Sequence, residues 1–356
     1  MAKDNKKALK SIRSSRIIYP LIIGLGVIGY MVAKEFDPNA LSYLKITWKG
    51  VFWLFIAALL MLSRDIGYVI RLKVLSDKQL SWWQSIRIVF LWEFASAITP
   101  SAIGGTSVAI IFIHKEGLNI GKSAAVVMAT SLLDELYFII FFPLLLFILT
   151  PAELFNIDTV ENYSYLNSFF LFAIIGYSVK LLWVIAVSYG LFVNPKGLRR
   201  LILLVFRLPI IRKWRNSARA AGNDIIKSSK ELKAKPFKFW LKAFGATVLS
   251  WTSRYWIVNA LFLAFFLVKG HVIIFARQLV MWIMMLVSPT PGGSGFSEYV
   301  FKEYLAEFIE VPADHLPFII IALALIWRLI SYYPYLIIGA FIFPKWVSKR
   351  FNNTKK

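Results

Sequence analysis

Three arginines, Arg64, Arg254 and Arg328, stand in apolar stretches of the chain, with the carboxylates Asp65, Glu93, Asp134, Glu135 and Glu298 in or beside similar surroundings. A guanidinium is permanently charged and presents a planar fork that matches phosphate oxygens two at a time. Arginines gathered in an apolar setting therefore suit capture of a phosphate group. The same residues have a plainer use, which is to pair with one another and fix helix register. For Asp65 and Glu135, pairing or exposure near a helix end is the favoured reading. Glu93, Asp134 and Glu298 are also of the residue type that serves as a proton site or general base. No His or Cys stands beside them, however, and the chain carries no nucleophile or metal-binding helix motif.

Two glycine clusters, TPSAIGGTS at 99–107 and SPTPGGSGFSE at 288–298, interrupt apolar runs. Gly104, Gly105, Gly292 and Gly293 remove side chains, which lets backbone N–H groups approach an anion ahead of a helix N-terminus. Pro289 and Pro291 break the preceding helix. Tight turns and close helix packing are the alternative use of such glycines. The phosphate-loop pattern with its lysine is absent, so nucleotide binding has no support.

The elements that must hold these residues are set by composition. Of 356 residues, 58% are hydrophobic and 17% charged, against roughly 25% charged in soluble domains. Apolar runs near Ile17–Ala33, Gly50–Ile70, Ala124–Thr150, Phe169–Val193, Phe239–Val268 and Phe318–Phe343 reach the about 17–25 residues that a spanning helix needs. Ile86–Thr99 and Val272–Val287 are shorter and end in the Pro/Gly clusters. The N-terminal run reads as a retained span rather than a signal peptide, because it is long and no small-residue cleavage site follows. Cysteine is absent, which excludes disulfides and thiol chemistry, and His114, His271 and His315 lie far apart. No cofactor or metal is expected. The net charge of +22 collects in Met1–Arg16, Arg71–Arg87, Lys196–Lys238 and Lys345–Lys356, while Thr150–Asn167 and Glu303–Leu316 contain acids and no Lys or Arg. That segregation is a topology signal and argues against a nucleic-acid partner.

With the basic segments cytoplasmic, both termini lie inside. Ile86–Lys122 then enters and returns to one side, turning at Pro100–Gly105, and Val272–Glu303 does the same from the other side, turning at Pro289–Gly295. Three matches recur at nearly one offset: Gly105 with Gly293 (293 − 105 = 188), Arg64 with Arg254 (254 − 64 = 190) and Pro143 with Pro334 (334 − 143 = 191). The expected fold is an all-α polytopic membrane protein with an inverted repeat, residues 1–150 and 151–356. It has about six full spans and two re-entrant hairpins whose Pro/Gly tips meet inside. Segment 194–238 mixes apolar clusters with Arg and Lys as an interfacial helix would, and suits anionic lipid headgroups.

At these motifs the sequence resembles the transmembrane family of lysylphosphatidylglycerol synthases, which includes the flippase region of multiple peptide resistance factors and stand-alone relatives. The residues that carry the likeness are the Pro100–Gly105 cluster, Arg64, Arg254, the run Pro289 to Gly293, Gly295 and Glu298. Many relatives have an acid after the first double glycine where this chain has Thr106. The resemblance implies a lipid flippase or transporter of a bacterial-type inner membrane, acting on an anionic phospholipid or polyprenyl phosphate. It does not imply an enzyme, since aminoacyl transfer in the full synthases belongs to a separate soluble domain. Alternatives are an ion-coupled solute carrier using Asp134 or Glu298, a lipid-modifying enzyme using Glu93 or Asp134, or an accessory subunit of an envelope-biosynthesis enzyme. Homo-oligomerisation stays open.

Overall fold

A computed structural model describes residues 29–30, 33–98, 101–155, 168–205, 223, 226–285 and 295–352. The expected first span and the tip residues Pro289, Pro291, Gly292 and Gly293 lie largely or wholly outside that set. Among the described residues every regular element is helical: α1 Trp48–Leu75, α2 Trp82–Ile98, α3 Ser101–Lys115, α4 Ile120–Ile148, α5 Pro151–Phe155, α6 Ser168–Ser188, α7 Pro195–Val205, α8 Phe237–Phe265, α9 His271–Met284, α10 Phe296–Leu305, α11 Leu316–Ser331 and α12 Tyr333–Asn352. α6 continues through a π-helical turn, Tyr189–Val193.

Local chemistry sets the helix ends. The Thr47 side chain accepts from the Gly50 N–H at 3.1 Å and opens α1, and Asn119 does the same for α4 from the Lys122 N–H at 2.7 Å. Each side chain satisfies one of the orphan donors of a first turn. Beyond α1 the chain reverses through Asp77 and Lys78, whose φ values are 54° and 60°, in the left-handed region that ends a helix. Four segments, Trp48–Leu75, Ile120–Ile148, Ala173–Val193 and Leu316–Arg350, are long and apolar enough to cross a membrane. α8 has the length, 29 residues, or about 43 Å at 1.5 Å per residue. Its hydropathy is lowered by Thr247, Ser250, Ser253, Arg254 and Asn259. Large apolar side chains such as Trp48 (90% exposed), Phe55, Phe147 and Leu182 cover the outside, the surface that hydrocarbon accepts and water does not.

α1 and α8 form the central pair. Gly50 faces Ala264, Ser63 Oγ meets Ser253 Oγ at 3.2 Å, and Gly67 faces Ser250 and Ala246, so the two helices run antiparallel. A Cβ on Gly67 would lie 2.7 Å from the Ala246 carbonyl, so no larger residue fits this approach. α2 and α3 are also antiparallel. Gln84 Nε2 donates to the Glu116 carbonyl at 2.8 Å at one end, while Ser96 presses on Gly105 at the other.

The remaining contacts sort the chain into two ends. At one, Asp77 pairs with Lys122 at 3.1 Å and Lys235 at 2.5 Å. Burial alone would raise the Asp77 carboxyl, but the hydrogen bonds from Lys235 and Lys122 outweigh it and hold the group below the ordinary carboxylate value. At the same end, Glu116 joins Arg87 at 2.9 Å, Arg350 at 2.5 Å and Trp346 Nε1 at 2.7 Å. At the opposite end His315 bonds Asp37, Phe36 packs edge-on to Phe318, and Arg277 ties α9 to Glu307 at 2.7 Å and to the Glu153 carbonyl. Among the described residues, Arg87, Lys235 and Arg350 of the basic segments thus lie at one end, and Glu153, Glu307 and His315 of the acidic segments at the other.

The structure corrects several sequence expectations. Arg71 does not begin a surface loop; it is buried in the last turns of α1. The segment Phe318–Phe343 keeps the length and apolarity of a span, with one interruption at Tyr332 between α11 and α12. The turn after α2 is shorter than Pro100–Gly105, because α3 starts at Ser101 and places Gly104 and Gly105 within a helix. Of segment 194–238, α7 is described as a helix, and 206–222 lie outside the described residues.

Candidate functional site

Between α1, α2, α4 and α8, buried and half-buried charges form a ladder. Arg64, 0% exposed, donates from Nη1 to Asp65 at 2.8 Å and to the Tyr335 hydroxyl at 2.9 Å. Its Nη2 lies 2.6 Å from Glu93 Oε1, an ion pair by distance whose angle falls short of a hydrogen bond. One turn on, the Tyr68 ring is sandwiched between Arg64 at 4.4 Å and Arg71 at 4.6 Å. Arg71 forks onto both Asp134 oxygens, and Trp251 Nε1 donates to the same carboxylate at 2.6 Å. The Arg254 guanidinium then lies over the rings of Trp251 at 5.6 Å and Trp282 at 4.3 Å. The sequence dictates this arrangement locally: positions 64, 68 and 71 share one helix face, as do 251 and 254.

A second cluster sits where α10 meets α11. Glu298 accepts from the Gly295 N–H at 2.7 Å, capping α10, and from Arg328 Nε at 2.8 Å. Ser297 Oγ joins both partners. The Tyr332 ring lies 4.7 Å from the Arg328 guanidinium, and its hydroxyl donates to the Ala97 carbonyl at 3.0 Å, next to the first Pro/Gly cluster. The start of α12 therefore links both clusters, with Tyr332 beside Arg328 and Tyr335 on Arg64.

Arg64, Glu93, Asp134 and Arg254 belong to the ladder, and Glu298 and Arg328 form the second cluster. Gly105 is held against Ser96: a Cβ there would meet Ser96 Cα at 2.8 Å, so helix packing alone requires glycine at this position. Asp65 and Glu135 are both paired, Glu135 with Lys180 at 2.5 Å. The sequence reading missed Arg71, Lys180 and Arg277. The i, i+4, i+7 spacing of Arg64, Tyr68 and Arg71 was the available signal for the first. Lys180 and Arg277 are lone charges in apolar runs, which window averaging conceals.

Among the described residues no group of His, Cys, Asp and Glu could hold a metal ion. The three arginines differ in what balances them. Arg64 has two carboxylates and Arg328 has one, whereas Arg254 has only aromatic partners among the described residues.

Helices of spanning length, apolar outside and charged within, define an integral membrane protein. The chain belongs to the family described as Lysylphosphatidylglycerol synthase TM region, which matches residues 17–339. It is also similar to a UPF0104 membrane protein of Archaeoglobus fulgidus, 25% identical over 332 residues that make up 88% of this chain and 94% of that relative.

Proposed function

We propose that the protein moves a phosphate-bearing lipid, a phospholipid or polyprenyl phosphate, between the leaflets of a cytoplasmic membrane. The observation that carries this reading is Arg254, a cation in the middle of α8 that no carboxylate among the described residues neutralises. A charge at membrane depth costs about 2.5–3.5 kcal/mol even on lenient scales, and such a cation is retained where an anion meets it. The repeat sharpens the point. The acids that balance Arg64, Asp65 and Glu93, correspond at the 190-residue offset (255 − 65; 283 − 93) to Tyr255 and Ile283. The second half thus keeps the arginine and loses both counter-charges. Lipid chemistry is less well supported, because Glu93 and Asp134 are already engaged by Arg64 and by Arg71 with Trp251.

The inverted repeat and re-entrant hairpins belong to the same proposal. A two-fold axis relating residue i to i + 190 passes through an antiparallel helix pair where equivalent residues touch, and Ser63 touches Ser253 (253 − 63 = 190). Two further matches support it. Arg87 and Arg277 are 190 apart, Glu116 and Glu307 are 191 apart, and each Arg–Glu pair clasps the base of a Pro/Gly-tipped segment. The clasps lie at opposite ends, as hairpins entering from opposite faces require.

The test is reconstitution into liposomes with acyl-chain-labelled phosphatidylglycerol and labelled polyprenyl phosphate, compared with empty liposomes. Accelerated leaflet exchange of either lipid is expected, and exchange no faster than in empty liposomes for both would overturn the reading. Topology is checked on this cysteine-free chain with single cysteines. Asn119→Cys is expected to label from the cytoplasmic side and Val311→Cys from outside; labelling of both from one side would defeat the inverted arrangement.

A further inference from the structure

Glu135 and Lys180 meet in mid-helix, on α4 and α6, at 2.5 Å. Lys180 is 4% exposed and its ammonium lies 4.3 Å from the centre of the Phe138 ring. Trp183 Nε1 to Ser131 Oγ, 3.3 Å, flanks the pair. Neither member contacts the ladder through a hydrogen bond, so the pair is not needed to neutralise it. The same Phe138 ring packs edge-on against Trp251 at 5.0 Å and against Tyr255 at 6.5 Å, and Trp251 in turn carries the Arg254 guanidinium at 5.6 Å. A layer of aromatic rings thus separates the Lys180 ammonium from Arg254, and charges are poorly screened across such a layer.

We infer that the Glu135–Lys180 pair is a proton-exchange site that couples proton binding to headgroup binding at Arg254. The inference rests on the transport reading above and adds what drives it. In the ion pair the two charges cancel. When the Glu135 carboxylate takes one proton from water it becomes a neutral acid, Lys180 remains an uncompensated ammonium, and the local charge rises by one. With Arg254 on the far side of the Phe138 and Trp251 rings, that added charge strengthens capture of an anionic headgroup, and by linkage a bound headgroup strengthens proton binding by the same factor. One proton then crosses with one negative charge, which makes the cycle electroneutral and lets a pH gradient drive it.

The other charged groups around the pair are committed. Asp134, next in sequence, is held by Arg71 of α1. From α9, His271 bonds Asn259 and Arg277 bonds the Glu153 carbonyl, while Ile283 faces Gly176 of α6. Tyr189, in the turn after α6, is exposed. Glu135 is therefore the group that titrates next to Lys180. The competing role is purely mechanical, a pin holding α6 on α4. In that case replacing both charges by neutral side chains would leave gradient-driven transport intact.

The experiment uses the full chain in liposomes carrying trace acyl-chain-labelled phosphatidylglycerol, with a pH difference of one unit imposed across the membrane. The native protein is expected to bias the leaflet distribution toward the less acidic side by up to about tenfold, the ratio that one proton per lipid supports. The variant Glu135→Gln/Lys180→Met is expected to equilibrate the lipid without bias. The exchanged pair Glu135→Lys/Lys180→Glu, which restores the interaction, is expected to regain the bias. A native protein indifferent to the gradient, or a neutral variant that still builds the bias, overturns the inference. Infrared titration of the purified protein separates it from the transport reading. A protonated-carboxyl band present in the native chain at low pH and missing in Glu135→Gln establishes the proton site even if neither lipid moves. Absence of that band overturns the site even if lipid does move.

Discussion

Lysine in place of Arg254 is expected to slow lipid exchange by about tenfold to a hundredfold while the melting temperature stays close to that of the native protein. The first part follows from geometry. Lysine keeps the charge but loses the planar fork, and with it one of two parallel charge-assisted bonds to a phosphate, each worth about 1.5–3 kcal/mol; about 1.4 kcal/mol is a factor of ten. The second part follows from what surrounds Arg254 now. Its partners are the rings of Trp251 and Trp282, which an ammonium also faces favourably, so the change in stacking is about 1 kcal/mol or less. No carboxylate is orphaned. Arg254→Met removes the cation altogether and is expected to abolish exchange without destabilising the fold, because it takes a half-buried charge out of an apolar setting and leaves no carboxylate without a partner. Exchange rates in liposomes set beside thermal melts of each variant decide the matter. A loss of stability parallel to the loss of transport would make Arg254 a structural residue.

Much of this fold was legible in the sequence, and much of the site was not, for a physical reason. Hydropathy registers the solvent that a helix faces, so α1, α4, α6 and the α11–α12 segment stood out, and among the described residues Arg87, Lys235 and Arg350 share one end, in keeping with an insertion process that reads charge. α8 was legible as a long helix despite its polar face, since its apolar length and flanking lysines bound it. Partner choice is different, because it depends on contacts across long sequence separations. Arg64 finds the Tyr335 hydroxyl 271 positions away, and Asp134 is shared by Arg71 and Trp251, 63 and 117 positions away. Arg64 and Arg254 both follow a serine in a polar-faced helix, and the one local difference is that Asp65 follows the first and Tyr255 the second. What the sequence does not show is that a further acid, Glu93, reaches Arg64 from another helix. The double glycine was similarly ambiguous. Gly104-Gly105 has the composition of a turn, yet α3 runs through it, and the lack of a side chain at Gly105 lets Ser96 approach.

The contrast with Arg254 is sharpest at Arg328. Glu298→Gln is expected to be among the most damaging single substitutions in the chain, with a cost of about 3–5 kcal/mol, the penalty for leaving one member of a buried ion pair alone. The carboxylate does three things at once: it accepts from Arg328 Nε, from Ser297 Oγ and from the Gly295 N–H that opens α10. A glutamine can still accept at the cap, where φ of Gly295 is +86°, but it cannot balance the guanidinium. Against total stabilities of about 5–15 kcal/mol this is a large fraction, so most of the variant should elute as aggregate and the remainder should melt early. Pairing it with Arg328→Met removes the stranded charge and is expected to restore most of the lost stability, since apolar replacement of a whole buried pair is often neutral. Transport by that double variant then assigns the pair's role. Near-native exchange in a restored fold makes Arg328 and Glu298 a structural clasp beside the second Pro/Gly cluster, with headgroup recognition left to Arg254. A restored fold that moves no lipid places both residues in the headgroup site, and the division of labour among the three arginines argued above would fall.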